Sequence, residues 1–154
     1  MELEIVQGDL LDQEVDVVVN AWNRNIIPWW LLFPQGVSGA IKRRAGIKPF
    51  AELAKHGAIA LGKAVQTNAG ELPFKAIIHV AGINMLWVST EQSIKDSVKN
   101  AISLADEQGY SSIAFPLIGA GTGGKKQEQV LVWMKETLDG LDYNGKVKIV
   151  LHRK

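Results

Sequence analysis

Ser112-Ile113-Ala114-Phe115-Pro116-Leu117-Ile118 runs straight into Gly119-Ala120-Gly121-Thr122-Gly123-Gly124. The first seven residues are an apolar run of strand length, the kind that a parallel sheet buries on both faces. The loop behind it holds four glycines in six positions. Glycine admits positive φ and lets a ligand lie against bare backbone. Consecutive amides in such a loop can turn into one concavity and bind a diphosphate, helped by the dipole of the helix that follows. Taken alone, a turn of small residues accounts for the loop equally well. Two phosphate motifs are excluded: Lys126 stands where a Walker A loop needs Ser or Thr, and the loop comes too late for a dinucleotide fingerprint.

Outward from this stretch, strand-like and helix-like periodicities alternate. Leu3–Val6, Val15–Val19, Lys63–Thr67, Ala76–Val80 and Lys146–His152 read as further strands, with Gly70-Glu71-Leu72-Pro73 as a turn between two of them. Ser89–Gln108 is the clearest helix. Ser89 or Thr90 offers an N-cap, Ile94, Val98, Ala101, Ile102 and Ala105 form the apolar stripe, and Gly109 supplies the stop. Ser38–Ala45 ends at Gly46, Pro49–Lys55 makes a helical turn or two, and Gln127–Leu138 is the last helix. Strands joined through helices need crossover connections. These predict a mostly parallel sheet with helices on both faces, a three-layer α/β/α domain spanning residues 1–154.

The 154 residues suit one domain able to bury roughly 70% of its extended surface without staples. The absence of cysteine excludes disulfides and thiolate zinc sites and fits a reducing, cytoplasmic setting. His56, His79 and His152 are too scattered to suggest a metal cluster, and no cofactor is called for. A net charge of +1 does not point to nucleic acid. The longest apolar stretch, Ile26–Phe33, has eight residues including Pro28, well short of the ~20 needed to span a bilayer. Nothing near Met1 reads as a signal peptide.

Ligands of such sheets bind outside the carboxyl ends of the strands. A second unusual segment belongs at that edge: Asn20-Ala21-Trp22-Asn23, read as a loop following its strand, and Gly36-Val37-Ser38-Gly39, which opens the next helix. Asn carries a donor and an acceptor without charge, which suits ribose hydroxyls, and amides at a helix start suit an anion. Turn capping by the two Asn and relief of crowding by the glycines is the plainer account.

Taken together, these residues resemble the macrodomain family. Gly8-Asp9 looks like its Gly-Asp-Ile element, Val18–Asn23 its Val-Asn-Ala-Ala-Asn, and Gly36–Ile41 its Gly-Gly-Val-Asp-Gly-Ala-Ile. Ile78–Gly82 is similar to Ile-His-Thr-Val-Gly, and Ser112–Gly121 to Ser-Ile-Ala-Phe-Pro-Ala-Ile-Gly-Thr-Gly. The resemblance implies a mixed, mostly parallel six-stranded sheet with ADP-ribose or an ADP-ribosylated molecule as ligand. It implies that Asp9, with Leu10 beside it, meets adenine. Gly36, Val37, Ser38 and Gly39 wrap the diphosphate from one side, and Gly119, Ala120, Gly121, Thr122 and Gly123 from the other. Asn23 meets the distal ribose while Asn20, also placed at the ligand, braces the loop. His79 is expected to be a satisfied core histidine.

Three departures mark a divergent, bacterial-type member. Ser38 stands where many hydrolytic relatives carry Asp, and serine is no base at neutral pH without a partner to take its proton. Between Asn23 and Gly36 lies a Trp-rich insertion in which Trp29 and Trp30 are lid candidates; joining the core and self-association are the alternatives. Gly123 replaces a frequent aromatic. The expected function is therefore binding of ADP-ribose or ADP-ribosyl groups. The alternative is hydrolysis of an ADP-ribosyl or O-acyl-ADP-ribose ester, with Asn23 and Ser38 as the candidate catalytic residues.

Overall fold

A computed structural model describes residues 1–23, 36–56, 59–83, 90–118 and 127–152. Six strands form a single mixed sheet: β1 (Glu2–Gly8), β2 (Val17–Asn23), β3 (Ala64–Thr67), β4 (Ala76–Ile83), β5 (Ser112–Phe115) and β6 (Lys146–His152). Their order is β1-β6-β5-β2-β4-β3, and every neighbouring pair is parallel except β3 with β4. The helices are α1 (Gly36–Ala45), α2 (Lys48–Ala54), α3 (Glu91–Glu107) and α4 (Gln127–Asp139), with a short 3-10 turn at Leu10–Asp12.

Alternation along the strands sends side chains to two separate cores. Val17, Val19 and Ile78 join α3 and α4 through Ile94, Val98 and Met134. Val18, Ile77 and Ala114 join α1 and α2 through Ile41, Phe50 and Leu53. This is the three-layer α/β/α arrangement that the crossovers demand.

The long helix α3 starts where its sequence says it should. Thr90 Oγ1 accepts from the Ser93 N–H at 3.0 Å and Ser93 Oγ accepts from the Thr90 N–H at 2.9 Å, a reciprocal cap. Its five stripe residues are buried, and Gly109 takes φ +75° past its end.

Two strand expectations need correction. β2 does not stop at Val19: it continues through Asn23 on β4, so Asn20–Asn23 is strand rather than loop. It also begins two residues late, at Val17. There the Asp16 N–H is taken by Ser112 Oγ at 2.7 Å and the Asp16 carbonyl by the Lys75 N–H at 2.8 Å. β5 ends at Phe115 and not Ile118. Pro116 has no N–H to continue the ladder, so composition outran hydrogen bonding.

Candidate functional site

The five parallel strands end at Gly8, Asn23, Ile83, Phe115 and His152, all on one edge of the sheet. β2 and β5 are neighbours there, yet their chains depart to opposite faces: β2 leads to α1 in one core, β5 to α4 in the other. Such a reversal opens the crevice in which open α/β sheets bind ligands. The register widens it. β2 and β5 pair only at Val17–Ile113 and Val18–Ala114, after which β2 follows β4 alone.

α1 follows β2 in the chain and packs on the Val18 and Ile77 side of the sheet. The N–H groups of Gly36, Val37, Ser38 and Gly39 form its first turn and have no partner within the helix. No acidic residue sits in that turn, while Lys42, Arg43 and Arg44 occupy the last, so the helix charge favours an anion at its start. Asn23 ends β2 opposite Ile83.

Between Ala21–Val80 and Asn23–Ile83 the register shifts, so β4 spends three steps where β2 spends two. Such an irregularity acts as a bulge does, a device that re-aims a strand end and recurs beside active sites.

Asp9 caps the 3-10 turn after β1. Its Oδ1 accepts from the Leu11 N–H at 2.9 Å, while its Oδ2 lies 3.8 Å from Arg44 of α1. The same guanidinium reaches Asp12 at 3.2 Å. About half of the Asp9 side chain is exposed, which leaves its carboxylate open to a ligand donor. Leu10, by contrast, buries its side chain in the α1/α2 core, so only its backbone faces that role.

Asn20, expected at the ligand and as a brace, lies inside the sheet. It is fully buried, and its Nδ2 lies 2.9 Å from His79 Nδ1, its register partner on β4. His79 is equally buried. Its Nε2 lies 2.8 Å from Thr67 Oγ1 on β3, with Phe50 edge-on at 6.1 Å. Burial, assisted by the charge of His56, pushes the pKa of His79 down to about 3, so the ring is neutral. His79 is the satisfied core histidine that its strand position suggested. Two participants escaped the sequence reading. The Lys42–Arg44 run was visible as a basic group, but the grip of Arg44 on Asp9 and Asp12 depends on tertiary placement. Thr67 gave no signal, because its approach to His79 follows from the β3–β4 register.

The calls on Gly119, Ala120, Gly121, Thr122, Gly123, Trp29 and Trp30 lie outside the described residues. Among the described residues no group of three His, Cys, Asp or Glu converges on a metal position. Nor is any described helix long and apolar enough to cross a membrane.

The family model described as Macro domain matches residues 19–134. The O-acetyl-ADP-ribose deacetylase of Klebsiella pneumoniae (strain 342) is 40% identical over 134 residues, covering 82% of this chain and 73% of that protein. Among solved structures, the Oceanobacillus iheyensis macrodomain with ADP superposes with a TM-score of 0.84 at 29% identity, covering 99% of this chain and 84% of that one. A single-residue variant of it with ADPR gives 0.80 at 28%, covering 97% and 84%. The sheet order, the crevice between β2 and β5 and these likenesses agree, and the chain belongs to the Macro domain family.

Proposed function

We propose that residues 1–154 act as one macrodomain that binds ADP-ribose, free or as a terminal ADP-ribosyl group, in the crevice between β2 and β5. The observation that carries this reading is the first turn of α1, the helix that follows β2. Four first-turn amides there, in a turn free of carboxylates, suit a diphosphate. In this reading Asp9 accepts from the adenine amino group and Asn23 meets the distal ribose. The amides of Gly36–Gly39 face the diphosphate across from Gly119, Ala120, Gly121, Thr122 and Gly123, and Trp29 and Trp30 cover the distal end. Affinity drawn from backbone amides does not need a carboxylate at Ser38. We place the protein in the cytoplasm, on the strength of its cysteine-free sequence.

Calorimetric titration with ADP-ribose, beside ADP, AMP and ATP, tests the reading. ADP-ribose is expected to bind most tightly, and Asp9→Ala to weaken it by about tenfold or more, the worth of one charge-assisted hydrogen bond. A folded protein that ignores ADP-ribose overturns it.

A second reading is favoured by the relative of 40% identity that carries the name O-acetyl-ADP-ribose deacetylase. Water adds to the acyl carbonyl, the ester C–O bond breaks, and acetate and ADP-ribose leave, with Asn23 and Ser38 beside the distal ribose. Release of ADP-ribose from O-acetyl-ADP-ribose, lost in Asn23→Ala, supports it. Binding without turnover rejects it and leaves the first reading intact.

A further inference from the structure

We propose that His79 is a positioning residue: its Nε2-protonated ring locks the next-to-last regular rung of β2 on β4 and thereby sets the strand end that carries Asn23. The proton assignment follows from direction. Thr67 Oγ1 donates its hydrogen to the Asn68 carbonyl at 3.0 Å, so toward His79 it must accept. His79 Nε2 therefore carries the proton. In the neutral ring Nδ1 is then bare, and it accepts from Asn20 Nδ2. One directed chain runs from β2 through β4 to β3: Asn20 to His79 to Thr67 to the carbonyl of Asn68.

Its place along the sheet gives the chain a purpose beyond cohesion. Asn20 and His79 are direct register partners, Ala21–Val80 follows, and the register shift comes next. Register slips where a ladder is weakly specified, and an irregularity such as this one interrupts the ladder. On the same face of β4 the neighbouring positions Ile77 and Ala81 are apolar and buried, so an apolar side chain at 79 would suit packing alone. Burying three polar groups instead is costly unless every one is bonded, and a fully bonded network admits one arrangement only. Asn20 is held by a further contact besides His79. The Asn20–His79 rung thus holds its register, and the backbone of β2 reaches Asn23 in one register.

The functional part of this inference rests on Asn23 meeting the ligand. The structural part does not, and the experiments separate the two. Long-range nitrogen-15 NMR of the intact protein should show His79 as the Nε2–H tautomer with a slowly exchanging ring proton. An Nδ1–H or averaging ring overturns the proposal. His79→Leu keeps the packing and removes both bonds, whereas His79→Gln can still accept from Asn20 and donate to Thr67. In folded His79→Leu the backbone amides of Ala21, Trp22 and Asn23 should shift and ADP-ribose affinity fall by about tenfold, with His79→Gln restoring both. Unmoved amides in folded His79→Leu overturn the proposal. Shifted amides with no ADP-ribose binding even by the wild type sink the ligand reading and leave the positioning role standing. Should His79→Leu fail to fold, Thr67→Val makes the same test by removing only the Nε2–H acceptor, and unchanged ring-proton exchange there overturns the proposal.

Discussion

Arg44 closes on Asp12 at 3.2 Å, and so ties the last turn of α1 to the 3-10 turn after β1. Both side chains are largely exposed, so the pair is screened by water and worth little in stability. Arg44→Ala is expected to change the unfolding free energy by less than about 1 kcal/mol. Asp9→Ala, which also strips the cap from the Leu11 N–H, should cost about 1–2 kcal/mol. Urea denaturation of the two variants checks the order, and equal losses would contradict it.

Stability should fall with acidification through His79. Its folded pKa is held near 3 by burial against an ordinary 6.5, so the unfolded chain takes up the proton first. The contribution is complete above pH 6.5 and is lost as pH falls toward 3, by up to about 1.4 kcal/mol per pH unit. Phe50, Asn20 and Thr67 around the ring do not ionise in this range, and His56 is the charge that adds to the effect. Asp16 acts only lower. Hydrogen bonds from Ser111, with Lys75 beside it, hold its carboxyl below 3.8, so its share disappears as pH drops beneath that value. Equilibrium denaturation from pH 7.5 to 4 should show a shallower slope in His79→Gln than in the wild type; parallel slopes would refute the assignment.

Gly70 should be intolerant of any side chain. It sits at φ +57° with its N–H on Asn68 Oδ1, and an added Cβ would strike the carbonyl of Ala45 at the end of α1. That carbonyl cannot retreat, since it accepts from the Glu71 N–H at 3.0 Å. Gly70→Ala is expected to cost about 3 kcal/mol or more. Gly109→Ala, at φ +75° with open space around it, should cost only about 1–2 kcal/mol. Thermal melts of both variants decide the matter, and a mild Gly70→Ala would mean that the turn can re-form elsewhere.

Ser38→Asp tests whether position 38 limits chemistry. It places a carboxylate in the first turn of α1, where none stands, and on the hydrolytic reading proposed above that carboxylate can take a proton from water. Release of ADP-ribose from O-acetyl-ADP-ribose is expected to rise by about tenfold or more. An unchanged rate, with ADP-ribose still bound, would show that the barrier is set elsewhere.

What the sequence disclosed follows from the range of the forces involved. α3 was legible because a cap, a stripe and a stop lie within one local segment, and all three came out at Thr90, Ile94–Ala105 and Gly109. Glycine spacing and strand alternation likewise placed Gly36–Gly39 at a helix start. The ends of β2 and β5 were misjudged because apolar composition marks what is buried, not where a ladder stops. Asn20 reads in sequence as a loop residue, yet it is fully buried on His79. That placement is made by β4, some sixty positions away, and no local pattern carries it. The 3-10 turn capped by Asp9 has three residues, too few to show any period.

The pairing of β1 carries a consequence for the order in which the molecule is made. β1 is an edge strand, and its one ladder partner is β6, with Glu2 facing Lys146 and Gly8 facing His152. Because β2, β3, β4 and β5 all lie between the two in the chain, β1 waits without this partner while those four strands are synthesised. The charges of Glu2 and Glu4 on that waiting strand guard it against joining a neighbouring nascent chain. Its closure onto β6 therefore follows the synthesis of the strands that form the middle of the sheet.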